Sequence, residues 1–313
     1  MAKTTPRQGV AGPVPDPSVI GRVAAPPFVR LPVPATDFCV RAARFRALAE
    51  GSALGAYLSF LARIADVQHS AQQVLALPPE LPAAELERRL QHAMPVLSSD
   101  VACGGAELSV TLDWMIRHTR DTEAPDAAQQ AWQRLDSMAE PERIALAGAL
   151  LEGAWPADRL GECLYVAAAL QVHLASRAAT LDAKRLKPVA DGICPVCGNG
   201  PVASMIVGWA SADRARYCMC SLCGTMWNHV RIKCTSCGDT QSISYYLVED
   251  SPQEIGAETC SSCQTYIKHL HQNRNAQLEP FADDVASFGL DLLVQERGFR
   301  RAALNPFLIM GRV

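Results

Sequence analysis

Four Cys-x-x-Cys pairs, Cys194/Cys197, Cys220/Cys223, Cys234/Cys237 and Cys260/Cys263, constrain this chain more than any other feature. The first two pairs are separated by 22 residues, as are the last two, so the second set is the first displaced by 40 positions. The same displacement carries Gly198 onto Gly238, Ser204 onto Ser244, Thr225 onto Thr265 and His229 onto His269, which marks an internal duplication. A Cys-x-x-Cys turn aims two sulfurs at one point, and a following glycine relaxes the tight backbone. Gly198, Gly224 and Gly238 occupy that position, and Gln264 is the exception. Two such turns joined by a spacer long enough for two strands form a tetrahedral thiolate cage, with sulfur about 2.3 Å from zinc. Metal binding contributes roughly 10–16 kcal/mol in zinc-finger peptides, enough to fold a module whose own core is thin.

The expected ligand sets are therefore Cys194, Cys197, Cys220, Cys223 and Cys234, Cys237, Cys260, Cys263, with two mononuclear metal ions per chain. Three other arrangements compete: interleaved quartets in which 220/223 meet 234/237, dithiol redox pairs, and plain buried cysteines. The duplication favours the in-register quartets. Four thiolates suit zinc and a single iron alike. The turn Cys194-Pro195-Val196-Cys197-Gly198 resembles a rubredoxin knuckle, which favours iron, while zinc ribbons use the same turn. Both cages leave no open position for water or substrate, which speaks against catalytic metal chemistry.

Among the other candidates, Cys218 lies two residues before Cys220 and could exchange as a ligand, although a packed thiol is the simpler reading. Cys39, Cys103 and Cys163 fall in helical segments, where a free cysteine behaves as a small hydrophobe. His229 and His269 follow the last Cys of each repeat by six residues and could touch a thiolate. A surface or structural histidine is the default reading for these two and for His271. No Ser/His/Asp set, paired carboxylates or phosphate loop stands out.

Residues 1–36 hold eight prolines and no apolar periodicity, so they are read as an extended arm with no packed structure before about Thr36. Residues 37–187 are read as an α-helical domain of six or seven helices. Ser52 is the expected N-cap of a helix whose stripe runs through Leu54, Tyr57, Leu58, Leu61, Ile64 and Ala65. Breakers at Pro78-Pro79, Pro95, Gly104-Gly105, Pro125 and Pro141 divide the rest. Two four-Cys ribbons follow, over 190–232 and 233–275, with β-type runs at 204–209 and 243–248. Residues 280–313 are read as one C-terminal helix, with Phe281, Val285, Phe288, Leu292 and Leu293 on one face, and a docked apolar tail. The fold class is thus a helical N-terminal domain, two tandem rubredoxin-like or zinc-ribbon modules, and a C-terminal helix.

A net charge of −3 gives no global attraction to polyanions, and between residues 184 and 274 nine Lys/Arg meet seven Asp/Glu. Nucleic-acid binding by the ribbons is therefore the weakest of the functional alternatives. The helical domain is the acidic part, with 12 Lys/Arg against 19 Asp/Glu over 37–183, a solvated face or an attraction for a basic segment of a partner. Neither a membrane span nor a secretory leader is seen, so the expectation is a cytoplasmic protein that does not insert in a membrane.

The segment from Cys194 to Phe307 closely resembles the formate dehydrogenase accessory proteins, the FdhE family. The resemblance rests on Cys194–Gly198, Arg216-Tyr217, Cys220–Cys223, Trp227 and 230–234. It continues with Thr265-Tyr266-Ile267-Lys268, 282–287 (Ala-Asp-Asp-Val-Ala-Ser) and Asn305-Pro306-Phe307-Leu308. A weaker echo lies at Leu48-Ala49-Glu50 and 54–58. The resemblance implies a cytoplasmic, non-catalytic maturation factor, required for active respiratory formate dehydrogenase and acting on its catalytic subunit before export. It also implies iron, and that the eight cysteines are metal and interaction elements. A thiol- or iron-based redox protein acting on that partner is the alternative.

Overall fold

The computed structural model describes residues 25–248 and 253–308; the arm over 1–24 and the tail beyond 308 lie outside the described residues. Proline has no N–H to lose at a helix start, and Pro34, Pro141 and Pro280 each stand in the first turn of a helix. The helical domain comprises α1 (Pro34–Ala49), α2 (Gly55–Val74), α3 (Ala83–Gln91), α4 (Ser99–Ala102), α5 (Ala106–Thr119), α6 (Asp126–Ser137), α7 (Glu140–Leu151) and α8 (Leu160–Ala179). The helix beyond the expected six or seven is the single-turn α4. A helix that is apolar all round belongs at the centre of a bundle, and α8 is buried on nearly every face from Glu162 to Ser176. α2 buries Leu58, Leu61, Ile64, Ala65 and Gln68, and the Gln68 amide donates to the Ala168 carbonyl of α8 at 2.9 Å. Ser52 is not the cap of α2; its hydroxyl accepts from the Leu54 amide before the helix begins.

Among the described residues eight strands form one sheet: β1 (Val29–Arg30), β2 (Pro201–Ile206), β3 (Arg216–Cys220), β4 (Met226–Asn228), β5 (Ile243–Tyr246), β6 (Ile255–Cys260), β7 (Thr265–Leu270) and β8 (Arg300–Arg301). Their order is β1-β4-β3-β2-β7-β6-β5, with β8 beside β7. Each cysteine repeat supplies an antiparallel triplet, β2-β3-β4 and β5-β6-β7. A parallel seam joins the triplets, with Ser204 opposite His269 and Met205 opposite Leu270. The expectation that nothing packs before Thr36 is corrected by β1, which pairs Val29 with Trp227 and Arg30 with Met226. Tyr217 also donates its hydroxyl to the Pro27 carbonyl. A proline-rich segment cannot continue a helix but suits a sheet edge, and here it covers the flank of β4.

The C-terminal helix is broken in two, α9 (Pro280–Ala286) and α10 (Phe288–Gln295). The cause is the buried ammonium of Lys268 on β7, which donates to the carbonyls of Asp284 at 2.6 Å and Ser287 at 3.0 Å and so caps α9 at its negative end. The break turns Leu292 (46% exposed) and Leu293 (49%) to water, against expectation, and buries Leu290 and Val294 instead. Beyond α10, Asn305 donates to the Phe281 carbonyl, and Phe307 is buried against Phe45 and Phe281. Tyr57 donates to the Phe307 carbonyl at 2.6 Å, so the described part of the tail docks on the helical domain.

Candidate metal centres

The turn that opens each repeat is set by backbone hydrogen bonds around its first sulfur pair. Cys194 N donates to Asn199 O at 2.9 Å and Gly198 N to Cys194 O at 3.0 Å. Forty residues on, Cys234 N donates to Asp239 O at 2.8 Å and Gly238 N to Cys234 O at 3.1 Å. Gly198, Gly224 and Gly238 have φ of +82°, +72° and +74°, the left-handed region that the sequence reading reserved for glycine. Gln264 adopts the same conformation at +56° despite its side chain.

The hairpins then bring the pairs together in the expected quartets. Cys194 Sγ lies 3.5 Å from Cys223 Sγ and Cys197 Sγ 3.3 Å from Cys220 Sγ. In the second repeat Cys234 Sγ is 3.7 Å from Cys263 Sγ and Cys237 Sγ 3.7 Å from Cys260 Sγ. Within each quartet all four sulfurs lie within 4.8 Å of one another. All eight thiols are free, and these separations are far beyond a disulfide bond. A tetrahedron of metal–sulfur bonds of about 2.3 Å has edges of about 3.8 Å, so both quartets have the size and the donor chemistry for one thiophilic ion each. The interleaved arrangement is not formed.

Four sulfurs this close cannot all ionise without a counter-charge. In the first quartet, hydrogen bonds from Cys194, Cys220 and Cys223 hold Cys197 well below the ordinary thiol range, while burial pushes Cys194 and Cys220 well above it. In the second, burial raises Cys260 to about 12. Burial also acts upward on Cys263, but hydrogen bonds with Thr265 and the neighbouring sulfurs outweigh it and bring Cys263 to about 7. Thr225 and Thr265 stand in matching places, 3.2 Å from Cys223 Sγ and 3.0 Å from Cys263 Sγ.

Cys218 is fully buried on β3, outside both quartets, and burial pushes its thiol up to about 12. Cys163 is buried in α8, and Cys39 and Cys103 are half-buried in the helical domain. Neither repeat histidine uses its bonded nitrogen on a sulfur. His229 Nε2 meets the Lys233 carbonyl at 3.2 Å, and His269 Nδ1 meets Ser204 Oγ at 3.2 Å. Burial first, and the Arg216 charge second, depress both rings, His229 to about 4.

Sequence reading missed the ionic framework that holds the two cages in place. Arg216 is 1% exposed and donates to Ser204 Oγ, to the carbonyls of Val230, Arg231 and Lys233, and to Glu258 Oε1 at 2.8 Å. It thereby ties the first repeat, the connection leading to Cys234, and the second repeat together. Behind β7, Lys268 and Arg301 face Asp284 and Asp291 in a buried group of two positive and two negative side chains, which Tyr266 and Asn305 also join. On α1, Arg41 pairs with Glu279 at 3.0 Å and Arg44 with Asp283 at 2.6 Å. The stretches that carried the resemblance contain six members of this framework, Arg216, Tyr266, Lys268, Asp283, Asp284 and Asn305.

Comparison with known proteins finds similarity from residue 26 to residue 308. Family models described as FdhE N-terminal, FdhE central domain and FdhE C-terminal domain match residues 26–191, 193–231 and 232–308. The chain is 42% identical to a protein FdhE homolog of Rhizobium meliloti (strain 1021), over 94% of this chain and 97% of that one. It is 35% identical to a homolog from Pseudomonas putida, over 91% of each chain. The crystal structure of the FdhE protein from Pseudomonas aeruginosa superposes with a TM-score of 0.80 at 31% identity, covering 91% of this chain and all of that one. By sequence over its helical, central and C-terminal parts, and by fold, the chain belongs to the FdhE family.

Proposed function

We propose that this protein is a non-catalytic accessory factor for formate dehydrogenase, acting in the cytoplasm on the enzyme's catalytic subunit before export. The observation that carries the reading is the pair of closed four-sulfur cages built into one sheet beside a helical domain, in a chain of the FdhE family. Cys194, Cys197, Cys220 and Cys223 would hold one ion, and Cys234, Cys237, Cys260 and Cys263 a second, iron in preference to zinc. When bound, each ion would offset part of the charge of its four thiolates and cross-link two turns, which would make the ribbons a rigid platform for the partner. Among the described residues no helix is long and apolar enough to cross a membrane.

The test is co-purification of a tagged catalytic subunit with the full chain, prepared anaerobically, and with Cys220→Ser and Cys260→Ser variants. The wild-type complex survives washing and the variants lose it. An unchanged yield from variants shown to lack metal would reject the platform reading. A second reading, electron transfer through an iron cage, is favoured by the solvent-facing Cys237. Reversible bleaching of thiolate-to-iron absorption by a chemical reductant would bring it forward.

A further inference from the structure

The two cages share a sulfur geometry but not a setting. In the first, all four cysteines are buried. The helical domain covers both of its turns. Leu97 N donates to the Val196 carbonyl at 2.6 Å, and a side-chain carbon built on Gly198 would sit 3.1 Å from Pro95 Cγ. On the other turn, Gln171 Nε2 on α8 donates to the Ser221 carbonyl at 2.9 Å, and Pro32 lies against Gly224.

In the second cage Cys237 is exposed and Cys263 half-exposed. Beside its Gly238 turn lies the Lys233–Asp191 ion pair, whose side chains are themselves 26% and 54% exposed. The composition of the turns agrees. Val196 and Leu222 are buried between the first cysteine pairs, whereas the residues 40 positions on are the exposed Ser236 and Ser262. An apolar cover would desolvate those serines without giving their hydroxyls a partner, so these turns are built to face water.

We infer that the two centres are functionally divided: the first is a permanent cross-link sealed under the helical domain, and the second is the exchangeable centre, where metal is taken up from and given up to small hydrophilic ligands. The inference rests on the reading of both quartets as metal cages. Exchange at the second centre needs no redox step. Donor atoms of an incoming ligand replace the metal–sulfur bonds one at a time, starting at exposed Cys237, and each freed thiolate takes a proton from water. At the first centre the same attack requires α8 and the Pro95 loop to lift away.

The experiment uses the full chain loaded anaerobically with zinc, which is assayed before and after loading. Metal release to the chromogenic chelator 4-(2-pyridylazo)resorcinol is then followed in time. Two equivalents are bound, and release is biphasic, with one equivalent leaving at least tenfold faster than the other. Mass mapping after a short pulse of iodoacetamide during the fast phase finds Cys237 and Cys263 alkylated and Cys194, Cys197, Cys220 and Cys223 protected. In a Cys237→Ser variant the fast equivalent is missing and the slow one stays. Release of both equivalents in one phase, or early alkylation of the first quartet in the unmodified chain, overturns the division while leaving the metal cages intact. A chain that binds no metal at all overturns both the division and the cages.

Discussion

Replacing Lys268 with methionine keeps the length and most of the volume of the side chain while deleting its charge. In the wild type this ammonium is fully buried, 3.3 Å from Asp284 and 2.5 Å from Asp291, and donates to two carbonyls at the end of α9. Without it, two buried carboxylates share the single guanidinium of Arg301. Breaking a buried ion pair by removing one partner costs about 3–5 kcal/mol, because the remaining charge stays desolvated. With a urea dependence of about 2–3 kcal/mol per molar, the unfolding midpoint at pH 7 drops by at least ~1 M. Acid gives an internal check. Burial acts to raise the Asp284 carboxyl, but the charges of Arg301 and Lys268 outweigh it and hold it below its usual range. The stability this supplies is present above an unfolded aspartate's value, about 3.9, and is lost as pH falls through the lower folded value. In Lys268→Met, Asp284 keeps only one of its two cations, so it accepts a proton at higher pH than in the wild type, and the deficit shrinks as the solution is acidified from pH 7 towards 4. A deficit below ~1 kcal/mol, or one of constant size across that range, would refute the account of a charge-balanced cluster.

Gln264→Gly removes a side chain from a left-handed position and should stabilise the metal-loaded protein by about 1 kcal/mol, less whatever the Gln264–Ser261 hydrogen bond contributes; a rise in thermal midpoint checks it. Arg216→Lys keeps the charge but cannot span Ser204, three carbonyls and Glu258, so it should cost about 2–4 kcal/mol in urea unfolding. His229 is buried neutral and depressed to about 4, whereas an unfolded histidine titrates near 6.5, so the unfolded state takes up the proton first and stability falls as pH drops from about 6.5 towards 4. His229→Asn should lessen that slope, His269 keeping its own share, as measured by unfolding at a series of pH values.

The cages were legible because a thiolate site is specified by local spacing, and the displacement of 40 positions told the quartets apart. The stripe of α2 was legible for the same reason, being a period within one element. The parallel seam between β2 and β7 was not, since no short pattern encodes which strands of two repeats meet. Lys268, Asp284 and Arg216 read in one dimension as ordinary surface charges, and only their long-range partners make burial tolerable. The break at Ser287 follows from that hidden ammonium, which is why Leu292 and Leu293 were assigned to the wrong face. The difference between Val196/Leu222 and Ser236/Ser262 did stand in the sequence, yet it acquires meaning only once the helical domain is seen to cover the turns of the first cage and leave Cys237 of the second exposed.

The clasp between α1 and α9 bears on how the chain is made. Arg41 receives its counter-charge from a residue 238 positions later. At a synthesis rate of about 5–20 residues per second, the chain waits between ~12 and ~48 s before that guanidinium meets its carboxylate. During this interval α1 cannot bury its arginines, and the groove that α9 later fills stands open. Stop mutations that remove only the closing segment would therefore damage the opening helix, which lies farthest from them along the chain.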